Sequence, residues 1–181
     1  MLKASALKAQ DVLVACKLHS LSESATHWTY VSLSDEVGLS TGEIHNACER
    51  CRAAQLLVTV REREVVSKKH MYDLLVFAVP RIFYAVRGGL EKGMPTAVHA
   101  LPLSGKFELI KGSLPVVWSC EQGDVRGEEI SPIYPSVPEA ARRDPLLYEL
   151  LALVDVMRIG DTRARNIASG LLEKRFLKSS D

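Results

Sequence analysis

No run of 18 apolar residues occurs in the 181-residue sequence, so a helical membrane span is not expected. An excess of one charge is also missing. The formal net charge is +1, so no overall basic field draws the chain to nucleic acid. The four cysteines, Cys16, Cys48, Cys51 and Cys120, lack framework spacing, which argues against a disulfide-stapled fold. The start, MLKASALKAQDVLVACKLHS, does not have the form of a signal peptide. Gln10, Asp11 and Lys17 interrupt its apolar run, and no small-residue cleavage site comes after it, so a cytoplasmic location is expected. Internal repeats and compositionally poor stretches are absent too. What is present is an ordinary globular composition, 47% hydrophobic and 25% charged, with length for one sizeable domain or two small ones.

The first 79 residues read as helices with one strand pair. ALKAQDVLVACKLHSL places Leu7, Val12, Leu13, Cys16 and Leu18 near helical spacing. The polar stretch SESATHWTY breaks that pattern, with Trp28 and Tyr30 anchoring the next helix. Ser32 with Asp35 reads as the capped start of a short helix ending at Val37, and Gly38 suits the left-handed position that closes it. Ser40 and Glu43 form S-x-x-E, the capping-box pattern, at the head of a helix reaching about Ala54. Its apolar face carries Ile44, Ala47, Cys48, Cys51 and Ala54. LLVTVRERE then reads as a strand, with a hairpin tip at Arg61–Glu64 and a return at Val65 and Val66. SKKHMYDLLVFAV is a further amphipathic helix, expected to stop at Pro80.

Seven glycines from Gly88 to Gly127 and six prolines from Pro80 to Pro135 mark the next stretch as loops and short strands. LPVVWSCEQGDVRGEEI is its clearest hairpin candidate, turning at Gln122-Gly123-Asp124. The end is helical again. Ser136 and Glu139 repeat the capping-box pattern, Asp144-Pro145 opens a long apolar helix that stops at Gly160, and Asp161 caps a last helix. The last two helices should form an antiparallel hairpin. The expected fold class is α+β, mainly helical.

A DNA-reading helix needs a supporting helix, a tight turn and polar residues on its outward N-terminal half. Here Ser32–Val37 supports and Gly38-Leu39-Ser40 turns. The next helix, opened by Ser40, offers Thr41, Glu43, His45, Asn46 and Arg50 outward. The strand pair behind it carries Arg61 and Arg63 at its tip, suited to phosphate contact, and Lys68 and Lys69 add a further phosphate-contact candidate. Against this, residues 1–80 contain nine Lys/Arg and nine Asp/Glu, so strong nonspecific DNA affinity is not expected.

The motif VGLSTGEIHNACERCRAAQLLV resembles the turn, recognition helix and first wing strand of the winged helix-turn-helix in MarR-like bacterial transcriptional regulators. The resemblance spans roughly Val12 to Val66. It implies a winged helix-turn-helix domain over 1–79, succeeded by a small α+β region with C-terminal helices over 80–181. Gln55 departs from the family pattern, standing where a glycine usually ends the recognition helix. GMPTAVHALP, SVPEAARRDPLLYELLALVD and RIGDTRARNIA, between Pro80 and Phe176, are similar to the tail of antitoxin-like winged-helix proteins of unassigned role. That similarity implies a partner protein and names no catalytic residue.

Other chemistry finds little support. His45, Cys48 and Cys51 hold only one C-x-x-C, without the second ligand pair of a zinc site, and the two cysteines read as core. RGGLEKGMPT and LSGKFELIKG lack the GK[ST] ending of a phosphate loop. His99 and Ser104 give no nucleophile–base pair, so neither an enzyme, a metal nor a cofactor is expected. The pairs Arg142-Arg143 and Arg163-Arg165 read as solvent-facing partners of nearby acids.

The expected function is sequence-specific regulation by binding double-stranded DNA; the alternative is a protein-interaction module with a structural winged helix. Leu146, Leu147, Leu150, Leu151, Leu153, Val154, Val156 and Met157 wrap more than one helix face, so what the hairpin partner leaves bare must meet the middle region or a second subunit; the second subunit is favoured, and a homodimer is expected. The Gly/Pro-rich middle could form a pocket for a small molecule of unspecified kind.

Overall fold

The computed structural model describes residues 6–60, 63–109 and 112–178. The chain is α+β and mainly helical, as the periodicity implies. At its centre is α1 (Ala9–Glu23), buried on every side from Asp11 to Leu21. A helix enclosed in this way takes its polar residues inside, where each charge needs a partner. Lys17 is accordingly held by Asp144, at 2.8 Å, and by Glu36.

The second helix, α2 (Tyr30–Val37), begins earlier than Ser32-Asp35 implies. Thr29 is the true cap: its hydroxyl accepts from the Ser32 N–H, and the Thr29 N–H donates back to the Ser32 hydroxyl at 2.9 Å. Gly38 takes the left-handed conformation, φ +68°, that ends α2. The reciprocal Ser40–Glu43 cap opens α3 (Thr41–Ala53), which buries Ile44, Ala47, Cys48 and Cys51 and leaves Ala54 exposed. Strands β1 (Leu57–Val60) and β2 (Arg63–Val66) form the expected antiparallel hairpin, with Leu57 opposite Val66 and Val60 opposite Arg63.

Pro80 does not stop the next helix. The segment runs through α4 (Lys68–Asp73), a π-helical stretch (Leu74–Ala78) and α5 (Val79–Ile82). Pro80 sits in the first turn of α5, where its missing N–H is not required. The boundary expected at 79/80 therefore falls inside a continuous helical segment. Val79 is fully buried, and one hydrophobic core joins residues from both sides of it.

The hairpin expected at residues 114–130 does not form. Strands β4 (Val116–Ser119) and β5 (Val125–Ile130) each pair antiparallel with β3 (Arg87–Pro95), and where they meet each other they run parallel. The three strands close into a small barrel. The turn between Cys120 and Gly123 exists, but Gly123 packs directly onto the backbone of Gly93, so the strands on either side of it flank β3. A Cβ on Gly123 would lie 2.3 Å from Gly93 Cα, and one on Gly93 would lie 2.1 Å from the Trp118 carbonyl oxygen. Only glycine allows this approach.

The barrel is fastened to the helices by a buried carboxylate. Asp155 Oδ2 accepts from Trp118 Nε1 at 2.6 Å and from Thr96 Oγ1 at 2.8 Å, and Oδ1 accepts from Arg158 Nη1 at 2.6 Å. Burial pushes this carboxyl up from its ordinary value, and Arg158 with the two neutral donors pulls against it. Asp155 and Arg158 both belong to α7 (Pro145–Ile159), which Asp144 caps through the Leu146 and Leu147 N–H groups, both at 3.0 Å. The preceding α6 (Val137–Arg143) lacks the expected capping box. Ser136 Oγ instead donates to the Val37 carbonyl at 2.6 Å, tying α6 to the end of α2, while Glu139 pairs with Arg143.

The C-terminal helix α8 (Thr162–Phe176), capped by Asp161, packs against α7. The apolar circumference of α7 is covered by this chain itself, chiefly α1, α5, α6, α8 and the short helical turns after β3. Leu147, Leu150, Leu151, Leu153, Val154 and Val156 are all at most 1% exposed, so this helix gives no ground for a second subunit. That correction arises from the turns after β3, the middle-region alternative to a second subunit, and from α1 lying across α7, a contact that no local pattern announces. No helix among the described residues is long and apolar enough to cross a membrane.

Candidate functional site

The polar face of α3 begins at its cap. Ser40 and Glu43 are both exposed but occupied with each other. The Ser40 N–H and hydroxyl donate to Glu43 Oε2 at 2.9 and 2.7 Å, which holds that carboxyl below its usual value. Thr41, His45 and Asn46 come next, exposed along the first two turns. Their spacing puts His45 one turn beyond Thr41 on the same face, with Asn46 about 100° further round the helix. His45 also leans on Tyr30 of α2, with ring centroids 5.5 Å apart.

Arg50 is not presented outward. Its guanidinium turns back onto the fully buried Asp11 of α1, with Nε to Oδ2 at 2.7 Å and Nη2 to Oδ1 at 2.6 Å. Two hydrogen bonds in a fork satisfy a carboxylate that burial would otherwise penalise, so this arginine serves the core. Arg52, which no sequence pattern singles out, is tied to Glu64 of β2, to Glu49 and to the Tyr30 hydroxyl, and thereby fixes the β1–β2 hairpin to α3.

Lys68 pairs with Glu23 at 3.1 Å and Lys69 with Asp73 one turn along α4. Glu23 is twelve residues after Asp11 on α1, roughly 18 Å at the helical rise. Lys68 is thus anchored near the end of α1 and Arg50 near its start, so the two do not form one basic patch. Arg61 lies outside the described residues, and Arg63 is described only by its backbone pairing with Val60.

Cys48 and Cys51 point into the core. Burial pushes the Cys48 thiol up to about 11 and that of Cys51 higher still, so both are protonated at neutral pH. Of the outer arginines, Arg143 pairs with Glu139 and Arg163 with Glu108, while Arg142 and Arg165 donate to the Gln122 and Arg158 carbonyls. Ser104 sits in an exposed turn.

A second feature is invisible to local sequence patterns. A cavity of about 610 Å³ opens between α8, the end of α7, the turns after β3 and the β3–β5 ribbon. Its residues come from five separate segments; the sequence singles out Val156, Gly160, Asp161 and Arg163 for helix packing, termination, capping and surface pairing, and His99 as a group without a catalytic partner, but nothing in it brings them together. No protein-family model, curated protein or solved structure matches this chain.

Proposed function

We propose that this protein is a sequence-specific regulator that binds double-stranded DNA through a winged helix-turn-helix. The observation that carries the reading is the order α2, left-handed Gly38, α3, then the β1–β2 hairpin, with Thr41, His45 and Asn46 exposed on the leading half of α3. A helix presented in this way suits the major groove, and the Asn46 amide suits the paired donor and acceptor of adenine. One such helix touches too few base pairs to select a site among many competitors, so the proposal includes a homodimer on paired half-sites.

The ion pairs of Arg50, Arg52, Lys68 and Lys69 limit what these cations give to phosphates, so base contacts carry an unusual share of the affinity. Gel shifts on fragments upstream of the protein's own gene test the reading. One fragment should shift, and Asn46→Ala should abolish the shift without changing the melting curve. No shift with any upstream fragment rejects it.

Those same ion pairs favour a second reading, a protein-interaction module in which the middle and C-terminal region binds a partner protein and the winged helix is structural, as the antitoxin-like similarity implies. A stoichiometric protein partner that co-purifies free of DNA, and stays bound in Asn46→Ala, supports that reading over the first.

A further inference from the structure

We propose that the cavity beside α8 is a binding site for an uncharged, largely apolar small molecule. At about 610 Å³ it has the size of a drug-like ligand site. Val98, Leu114 and Val116 supply apolar wall on one side, and Val156, Ile159 and Ile167 supply it on the other. The site stands independently of the reading of α3.

The charged groups around the cavity decide against an ionic ligand. Arg87 is paired with Glu128, and Arg163 with Glu108 at 2.8 Å. Asp161 is occupied in capping α8, accepting from the Ala164 N–H at 2.7 Å. Among the described lining residues, then, both arginines already have carboxylate partners. An anion would have to break one of these pairs and then face the carboxylate it displaced. A cation would have to displace an arginine from its carboxylate.

His99 adds a neutral ring to the wall. Its Nδ1 accepts from the Val116 N–H at 3.2 Å, and its Nε2 has no surface within reach of a water-sized group, so neither nitrogen is offered to a ligand. Burial lowers the pKa of this imidazole, so the ring brings no charge to the site.

Prodan, a neutral naphthyl ketone whose emission reports both polarity and hydrogen bonding at its carbonyl, is the probe, with anilinonaphthalene sulfonate as its anionic counterpart. The full chain should bind prodan saturably at one site and the sulfonate at least about tenfold more weakly. Ala164→Phe fills the cavity and should weaken prodan binding by about tenfold or more with unchanged circular dichroism. Ile167→Glu, at a half-exposed wall position that tolerates charge, should do the same if the first variant folds poorly. Absence of saturable binding, equal binding of the sulfonate, or binding unaffected by the wall variants overturns the proposal.

Discussion

Arg50 of α3 and Asp11 of α1 form a two-bond ion pair across 39 residues of sequence, at 2.6 and 2.7 Å, with the carboxylate fully buried. Removing the arginine strands a buried charge, so Arg50→Ala should cost about 3 kcal/mol of stability in a urea titration. Arg50→Lys should recover only part of that, because an ammonium cannot reproduce the planar fork. A midpoint unchanged in Arg50→Ala would return this side chain to the DNA-contact candidates.

Gln55 ends α3 with φ +59°, a conformation that costs a side-chain-bearing residue roughly 1 kcal/mol or more. Its side chain is exposed, and its carbonyl accepts from His70 Nδ1 at 2.8 Å, a bond that survives any substitution tolerated by the backbone. Gln55→Gly should therefore raise stability by about 0.5–1 kcal/mol, even after the larger entropy loss of glycine. Chemical denaturation is the check, and a lowered midpoint contradicts the assignment of strain.

His19 is fully buried against Phe176, ring centroids 4.5 Å apart, and neither ring nitrogen has a partner among the described residues. Burial lowers its pKa to about 4. Between that value and the unfolded value near 6.5, the unfolded chain binds more protons, so stability contributed by the neutral ring is complete above pH 6.5. It should fall as pH drops through this window, by roughly 3 kcal/mol in all. His19→Leu should remove that component, so its stability gain over the parent grows steadily as pH is lowered from 6.5 to 4. Parallel curves for the two proteins would exclude His19 as the titrating group.

The continuous core predicts one cooperative unfolding transition rather than two. Trp28 lies just before α2 and Trp118 on β4 against α7, so Trp28→Phe leaves a reporter on the far side of the expected 79/80 boundary. Its fluorescence midpoint should coincide with the helical signal of the whole chain. Leu150→Ala, at a fully buried α7 position, should shift both by the same amount, for a cost of about 2–5 kcal/mol. Separated midpoints would restore the two-domain organisation.

The elements legible in the sequence are those whose physics is local. The Ser40–Glu43 box, the left-handed Gly38, and the Asp144 and Asp161 caps each join groups within three residues or fix a single φ, so the residue pattern alone reveals them. Gln55 is not among them: without a glycine at the end of α3 the residue pattern reads as a departure, and its left-handed conformation is seen only in the structure. Misplaced boundaries had competing local answers: Thr29 outdid Ser32 as a cap, and the π-helical stretch carried the chain past Pro80.

Tertiary structure decided everything that joins distant segments. It chose Asp11 as the partner of Arg50, and so removed from α3 the cation that helical spacing placed outward. It set Gly123 against Gly93, turning an expected hairpin into two strands flanking a third. It also wrapped α7 in its own chain and assembled the cavity from five separate segments. Periodicity counts how many faces of a helix are apolar, but whether a second subunit or α1 covers them depends on chain closure over more than a hundred residues, as in the Lys17–Asp144 bond.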